Sequence, residues 1–152
     1  ILGAAIIGGV FFAFSSFVMR ALARLPSAEG IAAMQSINVV VLNRSFLGVF
    51  IGTTVISALL AVLAVKAWAM PSAPFFLAGA VSYLVGTFLV TGLGNVPLNN
   101  QLAAVSVADP GAVPVWEHYL DRWTSLNTIR TGAAVAAVLL FTVGLLTRSS
   151  AS

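Results

Sequence analysis

Three clusters of polar residues stand out in an otherwise apolar chain: Asn38 with Asn43 and Arg44, Asn95 through Gln101, and His118 through Arg130. Trp123, Asn127 and Arg130 are spaced i, i+4 and i+7, which places them on one helix face. A guanidinium flanked by carboxamide donors can hold an oxyanion and stabilise negative charge that develops on it away from bulk water. Histidine is the side-chain type that exchanges protons near neutral pH, so His118, the single histidine, is the default general base. It falls off the Trp123–Asn127–Arg130 face, among Glu117, Asp121 and Arg122. The candidate site is therefore Arg130, Asn127 and His118 for chemistry, with Asn95, Asn99, Trp123, Asn38 and Arg44 for binding. A structural alternative exists for each residue, because Trp and Arg anchor helix ends at the headgroup layer and Asn and Pro end helices. The combination is harder to explain that way, since polar groups near the hydrocarbon are costly unless paired or used.

These residues must be positioned by membrane helices. The chain has 152 residues, 60% of them hydrophobic and 7% charged, and a mean hydropathy of +1.06. That is far below the roughly 25% charged content of a soluble domain. Charge-free stretches cover 1–19, 46–65, 67–108 and 131–147. About 20 apolar residues in a helix cross a hydrocarbon core of about 30 Å, which predicts spans near 1–19, 46–66, 74–94 and 129–147. In lipid a helix satisfies its own backbone, so the expected fold is all-α: a four-transmembrane-helix bundle forming one membrane domain over 1–152. The chain starts at Ile1 without a basic leader, so the first helix is expected to begin upstream of it.

The second connection, 67–73, is a tight turn with Pro71, and Pro74 suits the start of the next helix. The first and third are long and share one side of the membrane. Interfacial helical segments are expected in both: one from Ala28 to about Asn43 with Ser27 as N-cap, the other after an Asp109-Pro110-Gly111 break. In the latter, Trp116, Tyr119, Leu120 and Trp123 follow helical spacing. Pro97 predicts a bend or a new first turn between Asn95 and Asn99. The long-connection side carries Arg20, Arg24, Arg44, Arg122 and Arg130, against Lys66 and Arg148 opposite. The positive-inside rule makes it cytoplasmic, in a bacterial cytoplasmic membrane. Small residues four apart, Gly9 with Ala13, Gly48 with Gly52 and Gly132 with Ala136, are expected to pack helices within the bundle, with oligomerisation left open.

The composition narrows the chemistry. There is no cysteine, and one histidine with four scattered acids builds neither a zinc site nor a di-iron bundle. No metal or cofactor is expected. Seven basic residues at span ends form no stripe for nucleic acid, despite a pI near 10.2. The expected partners are the lipid bilayer and a hydrophobic or aromatic small molecule.

The pattern Asn95-Val96-Pro97-Leu98-Asn99-Asn100, followed by a helix carrying Trp123-Thr124-Ser125-Leu126-Asn127-Thr128-Ile129-Arg130-Thr131, resembles the small membrane proteins of the anthrone oxygenase family. Phe11-Phe12-Ala13-Phe14-Ser15 and Met34-Gln35-Ser36-Ile37-Asn38 also fit it. The resemblance implies oxidation of an anthrone, or a similar phenolic or hydrophobic substrate, by molecular oxygen without a bound cofactor. Its specific part is Asn95, Pro97, Asn99, Trp123, Asn127 and Arg130. The other function class is a non-catalytic membrane binder or an accessory subunit; a pocket reaching Asn99, Asn127 and Arg130 would disfavour the subunit.

Overall fold

A computed structural model of the chain describes residues 1–109 and 111–149, so Pro110 of the expected break lies outside the described residues. Among them all regular structure is helical. Helices α1 (Leu2–Leu22), α3 (Arg44–Lys66), α4 (Ala73–Ala103) and α5 (Ala112–Ser149) are long and apolar enough to cross a membrane, and α2 (Ser27–Val40) joins the first two spans. The protein is a multi-pass membrane protein built as a four-helix bundle.

Several boundaries differ from expectation for physical reasons. Pro26, not Ser27, occupies the cap position of α2, and no side chain caps that end. Asn43 does not close α2 but opens α3, its Oδ1 accepting a hydrogen bond from the Phe46 N–H at 2.9 Å. Nor does α4 end at Asn95. A π-helical turn over Thr91–Asn95 leads into an α-helical segment Val96–Ala103, so Pro97 falls where the hydrogen-bond register changes and its missing N–H does not end the helix. The helical material expected in the third connection is thus split between the extended ends of α4 and α5. At 38 residues, α5 is about 57 Å long, so its first turns project beyond the hydrocarbon and serve as the interfacial segment.

Two apolar clusters stack along the bundle. The lower joins Ile7 and Phe11 of α1, Phe50 of α3, Ala80 and Tyr83 of α4, and Ala137 and Phe141 of α5. The upper joins Met19 and Leu22 of α1, Ile31 and Met34 of α2, Leu102 of α4, and Trp116, Tyr119 and Trp123 of α5. Buried Thr87, Asn95, Asn127 and Arg130 lie between them. As expected of an interfacial connector, α2 packs on the bundle end; Gly30 lets it approach, since a Cβ there would lie 2.9 Å from the Trp116 ring. α5 is the spine, packed on α1, α2 and α4, whereas α3 is peripheral, with 11% of its apolar window buried against 28% in the other spans.

Lipid tails are as apolar as Leu, so helix association depends on close packing and interhelical hydrogen bonds. The small-residue pairs singled out in the sequence do not supply it. Gly9, Gly48, Gly52 and Gly132 face open space, while Gly8 meets Ala134, Gly79 meets Phe141, and Gly86 meets Ala133. The tight seam runs between α4 and α5, with period seven on α4. Gly86→Val should therefore destabilise the bundle by about 1–3 kcal/mol through overpacking, whereas Gly48→Val should change it by less than about 0.5 kcal/mol. Unfolding of the two variants in mixed micelles measures the contrast.

Candidate functional site

The polar layer is organised around Arg130, which is 4% exposed. Its Nη2 donates to Asn127 Oδ1 at 2.7 Å and its Nη1 to Thr91 Oγ1 at 3.2 Å. The guanidinium lies over the Phe11 ring, 4.0 Å from Cζ to centroid, and 5.1 Å from that of Trp123. Such stacking is worth about 2 kcal/mol when desolvated, but it does not neutralise the charge. The chain's four acids, Glu29, Asp109, Glu117 and Asp121, are all exposed, and none pairs with Arg130. Its Nε–H is buried without any hydrogen-bond partner.

Asn127 fixes the guanidinium from behind. Its Nδ2 donates to the Phe11 carbonyl and to Ser15 Oγ, both at 2.7 Å, which ties α5 to α1 where the π-helical turn Phe14–Val18 begins. On the other flank Asn95 Nδ2 donates to the Trp123 carbonyl at 3.1 Å, and Ser82 Oγ donates to the Ala133 carbonyl at 2.9 Å. Both donors come from π-helical stretches of α4, Ser82–Leu89 and Thr91–Asn95. Wider turns of this kind recur at functional sites in helices. Here all three border the polar layer.

A cavity of about 420 Å³ opens in front of Arg130, within the range of about 300–1,000 Å³ typical of small-molecule sites. Its walls are apolar, from Phe11 and Phe14 of α1, Met34 and Ile37 of α2, and Phe46 and Phe50 of α3. Its polar contributors include Thr91, Asn99, Asn38, Gln35 and Arg130. Asn99 Oδ1 accepts from Tyr119 Oη and from Trp123 Nε1, both at 2.8 Å, and Asn38 Nδ2 donates to Tyr119 Oη at 3.3 Å. This network orients the Trp123 ring, which also borders the cavity.

Of the eight residues singled out in the sequence, Arg130, Asn99, Trp123 and Asn38 border the cavity. Asn95 and Asn127 lie behind it, buried and bonded to backbone and to Arg130, so they position other groups rather than face a ligand. His118 and Arg44 are exposed and do not border it. For His118 the reason is helical phase, since it shares the solvated side of α5 with Glu117, Asp121 and Arg122. Arg44 is the first residue of α3, two positions before the cavity residue Phe46 and so about 200° round the helix from it. Thr91, Tyr119, Phe11 and Ser15 were not singled out as site residues. One signal was present: Thr87, Thr91, Asn95 and Asn99 recur every four residues along α4.

A family model described as anthrone oxygenase matches residues 43–140, well over half of the chain. The chain belongs to the anthrone oxygenase family. The match covers Asn95, Asn99, Trp123, Asn127 and Arg130, whereas the segments 11–15 and 34–38 lie outside it. No curated relative and no solved structure matches the chain.

Because Asn127 joins α1, α5 and Arg130, Asn127→Ala should cost about 1–3 kcal/mol of stability through the donors and acceptors it leaves unpaired. His118→Ala should cost less than about 0.5 kcal/mol, as an exposed substitution. Denaturant titration of the detergent-solubilised variants provides the comparison.

Proposed function

We propose that this family member is a membrane-embedded oxygenase that converts an anthrone, or a similar flat phenolic substrate, to the corresponding quinone with molecular oxygen. The observation that carries this reading is the buried Arg130 guanidinium, without a carboxylate partner, facing an apolar cavity of about 420 Å³. An anthrone oxygen placed against Arg130 would supply the missing negative charge once the substrate loses a proton from its methylene carbon. The resulting anion is electron-rich enough to pass one electron to oxygen. Recombination of the two radicals forms a peroxide anion at that carbon; return of the first proton gives the hydroperoxide, and loss of water, which carries off the second methylene hydrogen, leaves the second carbonyl. One O₂ is consumed, one of its atoms enters the quinone, and the other leaves in water with the two methylene hydrogens.

The residues act by binding and electrostatics. Arg130 stabilises the anion in a site shielded from water, where a fixed charge counts for more than in solution. Phe11, Phe14 and Trp123 offer ring faces for a flat substrate. The Asn99–Tyr119–Asn38 network holds Trp123 in place. Among the described residues no group of three His, Cys, Asp or Glu is placed to hold a metal, and this route needs none. His118 is not given the role of base, because it does not border the cavity; a water held by the Asn99 and Asn100 carboxamides that line the cavity would take the proton and return it to the peroxide.

A second reading, a binder without turnover, is favoured by one observation: no His, Asp or Glu lines the cavity. The accessory-subunit reading is disfavoured by the cavity itself. For orientation, we place the long-connection side in the cytoplasm, supported by exposed Arg20, Arg24, Arg44 and Arg122 there.

Oxygen uptake by the purified protein with an anthrone separates these readings. Turnover above the uncatalysed rate is expected, and its absence together with tight binding would leave the binder. Arg130→Ala should lower turnover by about 10²–10³, the usual cost of removing a charge-stabilising donor, with the helical fold intact by circular dichroism. Undiminished activity in that variant would sink the anion-site assignment.

A further inference from the structure

A ligand reaches the cavity either from water at the end of the bundle or from lipid at its flank, and the packing closes the first. On the long-connection side α2 lies across the bundle, with Ile31 and Met34 fully buried against α5 and the end of α4. Gln35 straps it down, its Nε2 donating to the Leu102 carbonyl at 2.8 Å and the Val105 carbonyl at 3.0 Å. The Asn38–Tyr119–Asn99 bonds add a second tie from α2 to α5 and α4. Entry from water along the bundle axis would have to break these contacts.

The flank between α3 and α4 is different. α3 packs along Ala73–Val81 and Ser82–Leu89 but makes no comparable contact with the rest of α4. The two helices therefore part beside the cavity. Leu47 and Ile51 on α3 and Val96 on α4 line the cavity, yet they are 36%, 45% and 41% exposed. These residues border a gap that faces outward within membrane-spanning helices. A water-facing mouth would be rimmed by polar side chains, whereas this rim is apolar apart from Asn100 near its long-connection end.

We propose that the ligand enters sideways from the bilayer, through the gap between α3 and the second half of α4, in the leaflet on the long-connection side. The entrant is an amphiphile dissolved in that leaflet, with a flat apolar body and one acidic oxygen. The apolar rim passes the body, and the Arg130 guanidinium, which borders the cavity with Thr91 and Asn99, receives the oxygen. The oxygen's destination rests on the function proposed above; the route does not. Delivery from lipid also concentrates a sparingly soluble substrate at the mouth and keeps water from following it in. α3, the least buried of the spans, is the wall that yields.

The chain has no cysteine, so a single introduced thiol can be modified after the protein has folded, and each variant serves as its own control. Leu47→Cys and Val96→Cys, each in a Trp68→Phe background, are reconstituted into phosphatidylcholine vesicles and treated with N-cyclohexylmaleimide. Binding of 2-hydroxyanthraquinone dissolved in the bilayer is followed by quenching of Trp123 and Trp116 fluorescence. Labelling at either rim position should slow association by about tenfold or more relative to the same variant unlabelled. Labelling Leu139→Cys, exposed on α5 and away from the cavity, should change nothing. Anthraquinone-2-sulfonate, added from water, should associate far more slowly at equal total concentration.

Unchanged association after labelling at both rim positions would overturn the lateral route. So would equally fast binding of the sulfonate that labelling does not affect. Arg130→Met tests the other half: weaker binding of 2-hydroxyanthraquinone with an unaltered association rate supports capture of the acidic oxygen. Unaltered affinity in that variant, with rim labelling still slowing entry, would overturn the Arg130 assignment and leave the route standing.

Discussion

A guanidinium taken out of water keeps its charge only where other groups replace its hydration, and inside a membrane bundle few groups can. Arg130 obtains that replacement from two hydrogen bonds and two ring faces, with no carboxylate. Much of the surrounding architecture follows from this need. Thr91 must face it from α4, Asn127 must sit one turn before it, and Phe11 must present a ring from α1. The resulting set is compensated in geometry but not in charge. A buried cation so arranged is costly to the empty protein.

The bonds that hold Arg130 are also bonds between helices. Asn127 links α5 to the Phe11 carbonyl, and Asn95 and Ser82 link α4 to carbonyls of α5. The Trp123 and Ala133 carbonyls lie in regular α-helix and accept the side-chain donor on their second lone pair, so the irregular backbone is on the side of the donors. The π-helical turns at Phe14–Val18, Ser82–Leu89 and Thr91–Asn95 put such irregularity beside the polar layer. They also set helical phase: on α4 they bring Thr87, Thr91 and Asn95 toward α5, with Asn99 reaching Tyr119 and Trp123. The same irregularity admits Pro97 without ending the helix.

Span number and helical class were legible because they depend on summed hydropathy, which needs no partner to be recognised. The Trp123–Asn127–Arg130 face was legible because a straight α-helix fixes it by spacing alone. What spacing does not contain is which helix will lie opposite. Asn127 and Arg130 share a face, yet Asn127 spends its carboxamide on α1 and leaves Arg130 to border the cavity. The four-residue pairs Gly48 with Gly52 and Gly132 with Ala136 have the spacing of packing motifs but face no neighbour, while the real seam uses Gly79 and Gly86. His118 illustrates the converse: its chemistry suggested a role, and its phase on α5 placed it among solvated charges. The π-helical turns left little local mark in residue type, so the continuation of α4 to Ala103 could not be read from Asn95 and Pro97.

Rigidity and access are divided between different helices. α1, α4 and α5 carry the side chains that hold Arg130, and they are tied by side-chain bonds to one another's carbonyls, so displacing any of them would uncover buried donors and acceptors. α3 contributes mainly apolar wall to the cavity, through Phe46, Leu47, Phe50 and Ile51. Moving an apolar face from protein to lipid exchanges one hydrocarbon environment for another at small cost, and the bond that Tyr83 Oη donates to the Phe50 carbonyl of α3 is long, at 3.5 Å. A wall of this kind can yield to a ligand without disturbing the charged layer behind it. The sparse burial of α3 is then a consequence of where the polar residues are, because its charges, Arg44 and Lys66, stand at its two ends and none of its side chains holds Arg130.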